Sequence, residues 1–357
     1  MTSIDLFFLG FALFIATVSF IHLLRIDYWW IRMWDFPHFQ IMVLASVGLV
    51  VWLIGIHTFS WPQIVVPGLL IASLGYQSWL IYPYTFLHRV QVPHRKHRNQ
   101  PNDDNTIRLL ITNVFMENTH IPELQSLVKK HNPDVLLVLE GNKKWRKALA
   151  EIDDDYPHQQ LIPLENTYGM LLYSRFQMRK TSVHYRIEEG IPSITAQLQL
   201  PSGQWIHFYG VHPMPPSPTE NIRSTERDAE LLLVGREARR QQGPVIVAGD
   251  LNDVAWSHTT RLFSRISGLL DPRIGRGLFS TFHAHYFFLR WPLDHVFVSH
   301  HFALNDITRL PNCGSDHFPI LVSLTYAPDP DRIDEVPQPE EDDIEEMHGK
   351  LEDVKSD

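Results

Sequence analysis

Three stretches without a single Lys, Arg, Asp or Glu, Leu6–Leu24, Ile41–Phe59 and Ile64–Phe86, limit what the first quarter of this chain can become. Each approaches the length of about 20 residues that a helix needs to cross the hydrocarbon core of a bilayer. The second is the weakest, because its strongly apolar part ends near Ile56. A cleaved signal peptide fits the first stretch poorly: no basic segment precedes it, and two more stretches follow. Three buried helices of a soluble protein are the competing reading, and the hydropathy disfavours it. Trp29, Trp30, Trp34 and Trp61 flank the stretches as an interfacial aromatic belt would. The expectation is a region of three transmembrane helices over 1–87 that meets the lipid bilayer through residues 6–86.

Basic residues set the expected orientation. Arg25 and Arg32 lie between the first two stretches, and Arg89, Arg95, Lys96 and Arg98 follow the third. The amino terminus and the His57–Gln63 turn carry none. The positive-inside rule then places the amino terminus outside and everything after the third stretch in the cytoplasm. Residues 88–105 read as a basic juxtamembrane linker. Its segment His88–Gln100 serves either as a plain topology signal or as a contact for anionic headgroups.

The net charge of −9 is unevenly spread. Residues 328–357 hold thirteen acids against Arg332, Lys350 and Lys355, a net of −10, which leaves the rest at +1. The body therefore lacks the basic excess usual in proteins that bind duplexes, so nucleic acid is a partner that charge does not favour. Rich in Pro and acid and poor in apolar residues, 328–357 is expected to be a disordered acidic tail. The single cysteine, Cys313, excludes an internal disulfide.

Between linker and tail, over 106–327, apolar strands alternate with helical patterns. Strands are expected at Ile107–Val114, Asp134–Glu140, Gly169–Ser174, Ile194–Leu200, Trp205–His212, Asp294–Ser299 and Phe318–Tyr326. Helices are expected at Ile121–His131, Lys143–Ile152 and about Thr219–Gln242. Hairpin-like neighbours among these elements predict an α/β sandwich rather than a simple parallel sheet.

Chemistry-bearing residues gather where the strands end. In Pro244–Ser257, PVIVAGDLNDVAWS, a buried strand runs into Gly249 and then throws off Asp250 and Asn252. Asn113 ends the first strand, Glu140 the second, and His212 closes WIHFYGVH. Asp294 and His295 open LDHVFVS, and Ser315, Asp316 and His317 precede FPILVSL. Singly, each has a packing explanation: an Asx turn at Asp250, a turn cap at Asn113, a helix start at Glu140, a hydrogen-bonded core histidine at His212. Their recurrence at strand ends favours a shared floor, the usual place for a ligand site.

The motifs ITNV, VLLVLEGN, YGMLLYSR, FYGVHPMPP, VIVAGDLND, STF, PLDHVFVS and GSDHFPI, in that order from Thr106 to Tyr326, resemble the endonuclease/exonuclease/phosphatase superfamily. The HPMPP and SDHFPI details and the three preceding stretches are similar to a membrane-anchored bacterial branch, which implies a multi-pass protein of the bacterial inner membrane. The resemblance implies a four-layer α/β sandwich: two packed mixed β-sheets flanked by helices. It also implies roles. Glu140 would ligate Mg²⁺, a hard cation that prefers carboxylate and water oxygens, with Mn²⁺ able to substitute. Asn113 and Asp316 would stand at that metal, directly or through water. Asp250 would orient and deprotonate the attacking water, and Asn252 would hold a phosphate oxygen. His317, oriented by Asp294, would contact the phosphoryl group, with His212 as a second histidine there, as acid or electrostatic stabiliser, and Tyr168 adding a hydroxyl.

Three details depart from the family pattern. Deoxyribonucleases support their second histidine with a carboxylate near the motif that YGMLLYSR resembles, and this stretch has none. His295 stands where abasic-site enzymes tend to have tyrosine, and Glu140 lacks the preceding glutamine of many nucleases. His283 and His285 in TFHAHYFF have a spacing seen in zinc sites, but with no Cys or acid nearby a rim or substrate contact is favoured. The expected function is a membrane-anchored Mg²⁺-dependent hydrolase of a phosphodiester or phosphomonoester. A lipid headgroup or other membrane-proximal ester is favoured over nucleic acid, which would make it a nuclease. The competing class is a non-catalytic membrane scaffold that binds a phosphorylated ligand.

Overall fold

The computed structural model describes residues 2–55, 61–95 and 104–356. The end of the second apolar stretch, part of the turn after it, and residues 96–103 of the basic linker lie outside these residues.

The first sheet has the order β10-β11-β1-β2-β4-β3 and the second β5-β6-β7-β8-β9. Their strands are β1 Thr106–Asn113, β2 Val135–Leu139, β3 His158–Ile162, β4 Met170–Ser174, β5 Met178–His184 and β6 Ser193–Gln199. Next come β7 Trp205–Val211, β8 Val245–Asp250, β9 Asp294–Val298, β10 Phe302–Arg309 and β11 Ile320–Tyr326. The pairs β1–β2 and β7–β8 are parallel and the remaining neighbours antiparallel, so both sheets are mixed.

Side-chain alternation builds the layers. Ile107, Leu109 and Ile111 of β1 point between the sheets, where they meet Leu137, Ile194, Phe208, Ile246 and Val296. Leu110, Leu136 and Val138 point the other way, onto Leu124 and Val128 of α5 (Ile121–His131) and Trp145 of α6 (Lys143–Ala148). On the second sheet Tyr209, Val247 and Phe297 turn outward. They pack on Leu231 and Val234 of α7 (Thr225–Arg239) and Phe263 of α8 (His258–Ser267). The result is two packed mixed sheets flanked by helices.

The amino-terminal region holds α1 (Ser3–Phe20), a short α2 (Trp29–Arg32), α3 (His38–Ile54) and α4 (Pro62–Ile81). Segments Ser3–Leu24 and Pro62–Tyr84 are long and apolar enough to cross a membrane. The middle stretch is different: Trp29–Asp35 and His38–Ile54 meet at 69°, so a third span exists only if that bent pair is counted as one. Asp35 and Pro37 at the bend explain why one straight helix does not form.

This region does not hang from the sandwich on its linker. Asp27 O accepts from Ser224 N at 2.8 Å, Ile222 O from Trp29 N at 2.9 Å, and Asp35 O from Trp256 Nε1 at 2.7 Å. Tyr84 Oη donates to Ala255 O at 2.6 Å. Buried Arg32 pairs with Asp27 and Asp228 at 3.4 Å and with Asp35 at 3.6 Å. Lys350 Nζ reaches Asp228 at 3.0 Å and Asp27 at 2.5 Å.

Lys350 belongs to the region expected to be a disordered tail, and here the structure corrects that expectation: Glu341–Ser356 forms helix α9. Met347 and Leu351 supply the apolar stripe that the acid-rich composition concealed, packing on Leu232, Leu262 and Ile266. Asp343 accepts from Arg265 Nε and Nη2, both at 2.7 Å, and His258 meets Glu346 at 2.8 Å.

The hydrogen bonds from Arg265 hold the Asp343 carboxyl below its usual range. Burial opposes ionisation of Glu346, but His258 outweighs it and the net shift is also downward. Depressed carboxyl pKa values stabilise the docked helix above the unfolded value near 4, and that contribution is lost as pH falls through the lower folded values. Hydrogen exchange over 341–356, corrected for intrinsic rates, is expected to show protection at pH 7 that fades first at about pH 3. Protection persisting there while the sheets begin to open would refute the ionic account of docking.

Candidate active site

Because β1, β2, β7 and β8 run in one direction and β9 and β11 in the other, the ends of four strands and the starts of two share one edge of the sandwich. Asn113 and Asp250 are the last residues of β1 and β8, and Glu140 and His212 directly follow β2 and β7. Asp294 opens β9 directly opposite Asp250, and His317 lies just before β11. Gly249 makes the approach possible. At φ +149°, it lies where a Cβ would collide with the Val211 carbonyl oxygen, so only glycine lets β8 lie this close to β7.

Asn113 is the hub: its Nδ2 donates to Glu140 Oε1 at 2.8 Å and to Asp250 Oδ2 at 3.3 Å. Glu140 holds its side chain toward that hub from a left-handed backbone, φ +59°, which is rare for a residue of this type. Its second oxygen accepts from Met116 N at 3.1 Å. Asp250 Oδ2 also lies 3.5 Å from His317 Nε2 and 4.0 Å from His212 Nε2. Asp294 Oδ2 lies 2.8 Å from His317 Nδ1 and fixes that ring, while Phe282 covers it with a centroid distance of 4.9 Å. Ser315 Oγ donates to Asn113 O at 2.8 Å and accepts from His317 N at 3.0 Å, tying the start of β11 to the end of β1.

Electrostatics divides the two histidines. Burial opposes a charge on His317, but Asp294 and Asp250 outweigh it and raise its pKa to about 10, so it is an imidazolium at neutral pH. His212 is equally buried and faces that cation, which lowers its pKa to about 4 and keeps it neutral. Its Nδ1 has no partner among the described residues. Burial raises both Glu140 and Asp250 above the ordinary carboxylate range, against the opposing pull of Asn113 on Glu140 and of His317 on Asp250.

Of the residues singled out in the sequence, Asn113, Glu140, Asp250, Asp294, His317 and His212 therefore meet at one floor. Asn252 comes to its edge at φ +51°, but its amide nitrogen is spent on Pro213 O at 2.9 Å, which joins the HPMPP and GDLN loops. Asp316 is half-buried, has Oδ1 3.3 Å from Ser315 Oγ, and lies close enough to Glu140 to oppose its ionisation. Tyr168 packs its ring 5.2 Å from His212, but its hydroxyl donates to Glu220 Oε2 at 2.6 Å. His283 and His285 lie in a turn at the rim, and neither belongs to a candidate metal-binding group among the described residues.

Sequence reasoning missed Glu220 and Arg227. Glu220 sits in a loop with no periodicity to mark it. Arg227 is buried, donates to Asn252 O at 2.8 Å, and pairs with Asp228 at 2.8 Å, which links the GDLN loop to the Arg32 cluster. Its signal was an Arg-Asp pair inside a charged helix, indistinguishable there from a solvated face.

Asp250, Asp294 and His317 offer ligand atoms within 4.8 Å of one another. Together with Glu140, Asn113 and Asp316, the floor holds carboxylate and amide oxygens and no thiolate. That donor set fits a hard divalent cation, and a single imidazolium leaves the carboxylates short of positive charge.

From 112 to 317 the sequence matches the family described as endonuclease/exonuclease/phosphatase. No curated protein matches. Among solved structures, D. rerio TDP2 humanised by 14 mutations is similar at a TM-score of 0.51 and 15% identity, covering 62% of this chain and 99% of that one. D. rerio TDP2 complexed with a single-strand DNA product gives 0.51 and 16%, with the same coverage. The endonuclease/exonuclease/phosphatase of Beutenbergia cavernae DSM 12333 gives 0.50 and 16%, covering 62% and 72%. At these identities the likeness is one of fold.

Proposed function

We propose that this chain, which belongs to the endonuclease/exonuclease/phosphatase family, is a membrane-held, Mg²⁺-dependent phosphoesterase that cleaves a phosphodiester by attack of water. The observation that carries this reading is the hub at Asn113, which joins Glu140 and Asp250 within hydrogen-bond reach while His317 lies 3.5 Å from the same Asp250 oxygen. A base, a cation and a metal-type carboxylate thereby face one point.

In this reading Glu140, Asn113 and Asp316 hold the metal, which when bound neutralises charge on the phosphoryl oxygens. Asp250 orients the water and takes its proton as the new P–O bond forms and the leaving P–O bond breaks. Cationic His317, fixed by Asp294, donates to a phosphoryl oxygen and strengthens as charge grows there. His212 is neutral and lacks a carboxylate on Nδ1, so it acts as a hydrogen-bond donor rather than as the acid. Tyr168, held by Glu220, walls the His212 side, and Asn252 fixes the loop that carries Asp250.

Membrane attachment is supported by the outward faces of α1, α3 and α4, where Phe7, Phe14, Val47, Leu53 and Ile71 are all more than half exposed. The basic residues around these helices favour placing the sandwich in the cytoplasm, and the resemblance of the HPMPP and SDHFPI motifs to a membrane-anchored bacterial branch suggests a multi-pass protein of the bacterial inner membrane. A membrane-proximal ester is favoured over DNA because the body carries a net charge of only about +1.

Full-length protein in detergent, assayed on bis(p-nitrophenyl) phosphate, is expected to lose turnover in EDTA and regain it with Mg²⁺ or Mn²⁺. Glu140→Gln should raise the metal concentration for half-maximal rate by about tenfold or more. Turnover that persists in EDTA would exclude metal dependence, and ligand binding without turnover would favour the scaffold instead.

A further inference from the structure

Beside the catalytic edge, α3, the segments 278–280 and 287–290 and the end of β10 line an open cavity of about 990 Å³. Phe39, Val43 and Leu44 of α3 form one wall, and Phe287 and Leu289 the other. All five are exposed, Phe287 at 79%. Gln40 Nε2 donates to Phe288 O at 2.9 Å, which fastens the aromatic loop to the first turns of a helix of bilayer composition. A run of Tyr286, Phe287, Phe288 and Leu289 presented to water is costly, whereas at the acyl boundary it is favourable.

The other end of the cavity is cationic. Arg290 and Arg309 line it, and no carboxylate among the described residues does. Both guanidinium groups lie over the ring of Phe318, at 5.0 and 4.4 Å, and Phe318 directly follows His317. Arg290 gives Nη2 to Ala284 O at 3.3 Å while its Nε has no acceptor among the described residues, and Arg309 gives Nη1 to Ser280 O. Free donors remain on both, in the planar geometry that suits a phosphate. The wall continues into the floor: Ala284 N donates to Asp316 O at 2.6 Å, and Phe282 covers His317.

We propose that this cavity is a phospholipid site, with an acyl chain against Phe39, Val43, Leu44, Phe287 and Leu289 and the phosphate at Arg290 and Arg309. The apolar wall selects against a soluble nucleotide, and the charge at the other end against an uncharged lipid. Resting on the phosphoesterase reading above, the site also names the substrate class: a membrane lipid whose phosphoester slides from the arginines to His317. Water supplies the new oxygen on phosphorus, one P–O ester bond breaks, and the alcohol leaves with a proton.

The test uses full-length protein in nanodiscs containing phosphatidylglycerol with a diazirine at mid-chain, irradiated and mapped by mass spectrometry. Adducts are expected on Val43, Leu44 and Phe287–Leu289. Leu44→Trp should lower them about tenfold, whereas Val47→Trp, on the same helix but outside the cavity, should not. The double variant Arg290→Gln, Arg309→Gln should weaken capture of phosphatidylglycerol about tenfold, yet leave capture of diacylglycerol with the same chains unchanged. Adducts confined to outward residues such as Val47 and Ile54, or insensitive to Leu44→Trp, overturn the site. Correct mapping in a protein that cleaves no diester would overturn the phosphoesterase reading alone, and diester cleavage with wrong mapping would overturn the cavity alone.

Discussion

Asp250→Asn is expected to cut metal-dependent diester turnover by about 10³-fold, within the usual range for loss of a positioned base, while the protein melts no earlier than the parent at pH 8. The two halves of this result come from one environment. Asp250 is fully enclosed and burial raises its pKa, so the folded state favours the protonated carboxyl. An acid raised on folding destabilises the native state as pH climbs from its unfolded value near 4 through its folded one. The neutral amide escapes that penalty at pH 8 and keeps an oxygen for Asn252 N; against this it gives up the attraction to His317 and the hydrogen bond from Asn113 Nδ2. Activity and melting measured on the same preparation separate chemistry from folding. More than a tenth of parental turnover would remove Asp250 from the role of base.

Arg32→Met should have the largest effect on stability. Arg32 is 2% exposed and faces Asp27, Asp35 and Asp228, and Lys350 compensates only the first and last of these. Removing one partner of a buried ionic cluster strands charge at a cost of about 3–5 kcal/mol. For a domain of this size that is roughly a 10 °C fall in melting temperature. The cost should be shared by the active site, because Asp228 orients Arg227, which holds the Asn252 carbonyl. Adding Asp35→Leu should restore part of the loss, since Arg32 is the cation paired with Asp35 and replacing both partners by apolar groups is often nearly neutral. Melting of the single and double variants decides it: a shift under about 2 °C in the single variant would mean the cluster is solvated rather than buried.

Most of the floor could be read from the sequence because each of its residues interrupts an apolar run at a strand end. Asn113, Glu140, His212, Asp250, Asp294 and His317 all carry that mark. The central strands were legible for the same reason, being buried on both faces. Strands β3, β5 and β10 were not, and all three are sheet edges: β3 is half-buried throughout and β5 has no buried residue, so neither shows a continuous apolar run. Composition misled in two places. In α7 nothing in the charged sequence marks Arg227, Asp228 and Glu230 as interior residues, yet all three are buried, the first two within a cluster that only tertiary structure assembles. Acidic residues in α9 read as disorder because their partners, Arg265 and His258, lie some eighty residues earlier. The bend before α3 was equally hidden, since hydropathy records the length of an apolar run and not its direction.

The clasp at Asp228 has a mechanical consequence. A head on a free leash of eighteen residues could sweep a hemisphere some tens of ångströms across. Here Arg32 from one extremity of the polypeptide and Lys350 from the other grip the same side chain, so the head is bolted at a set tilt. In the membrane-held reading proposed above, its working edge is confined to one shallow layer beside the acyl boundary, and whatever it cuts must come to that height.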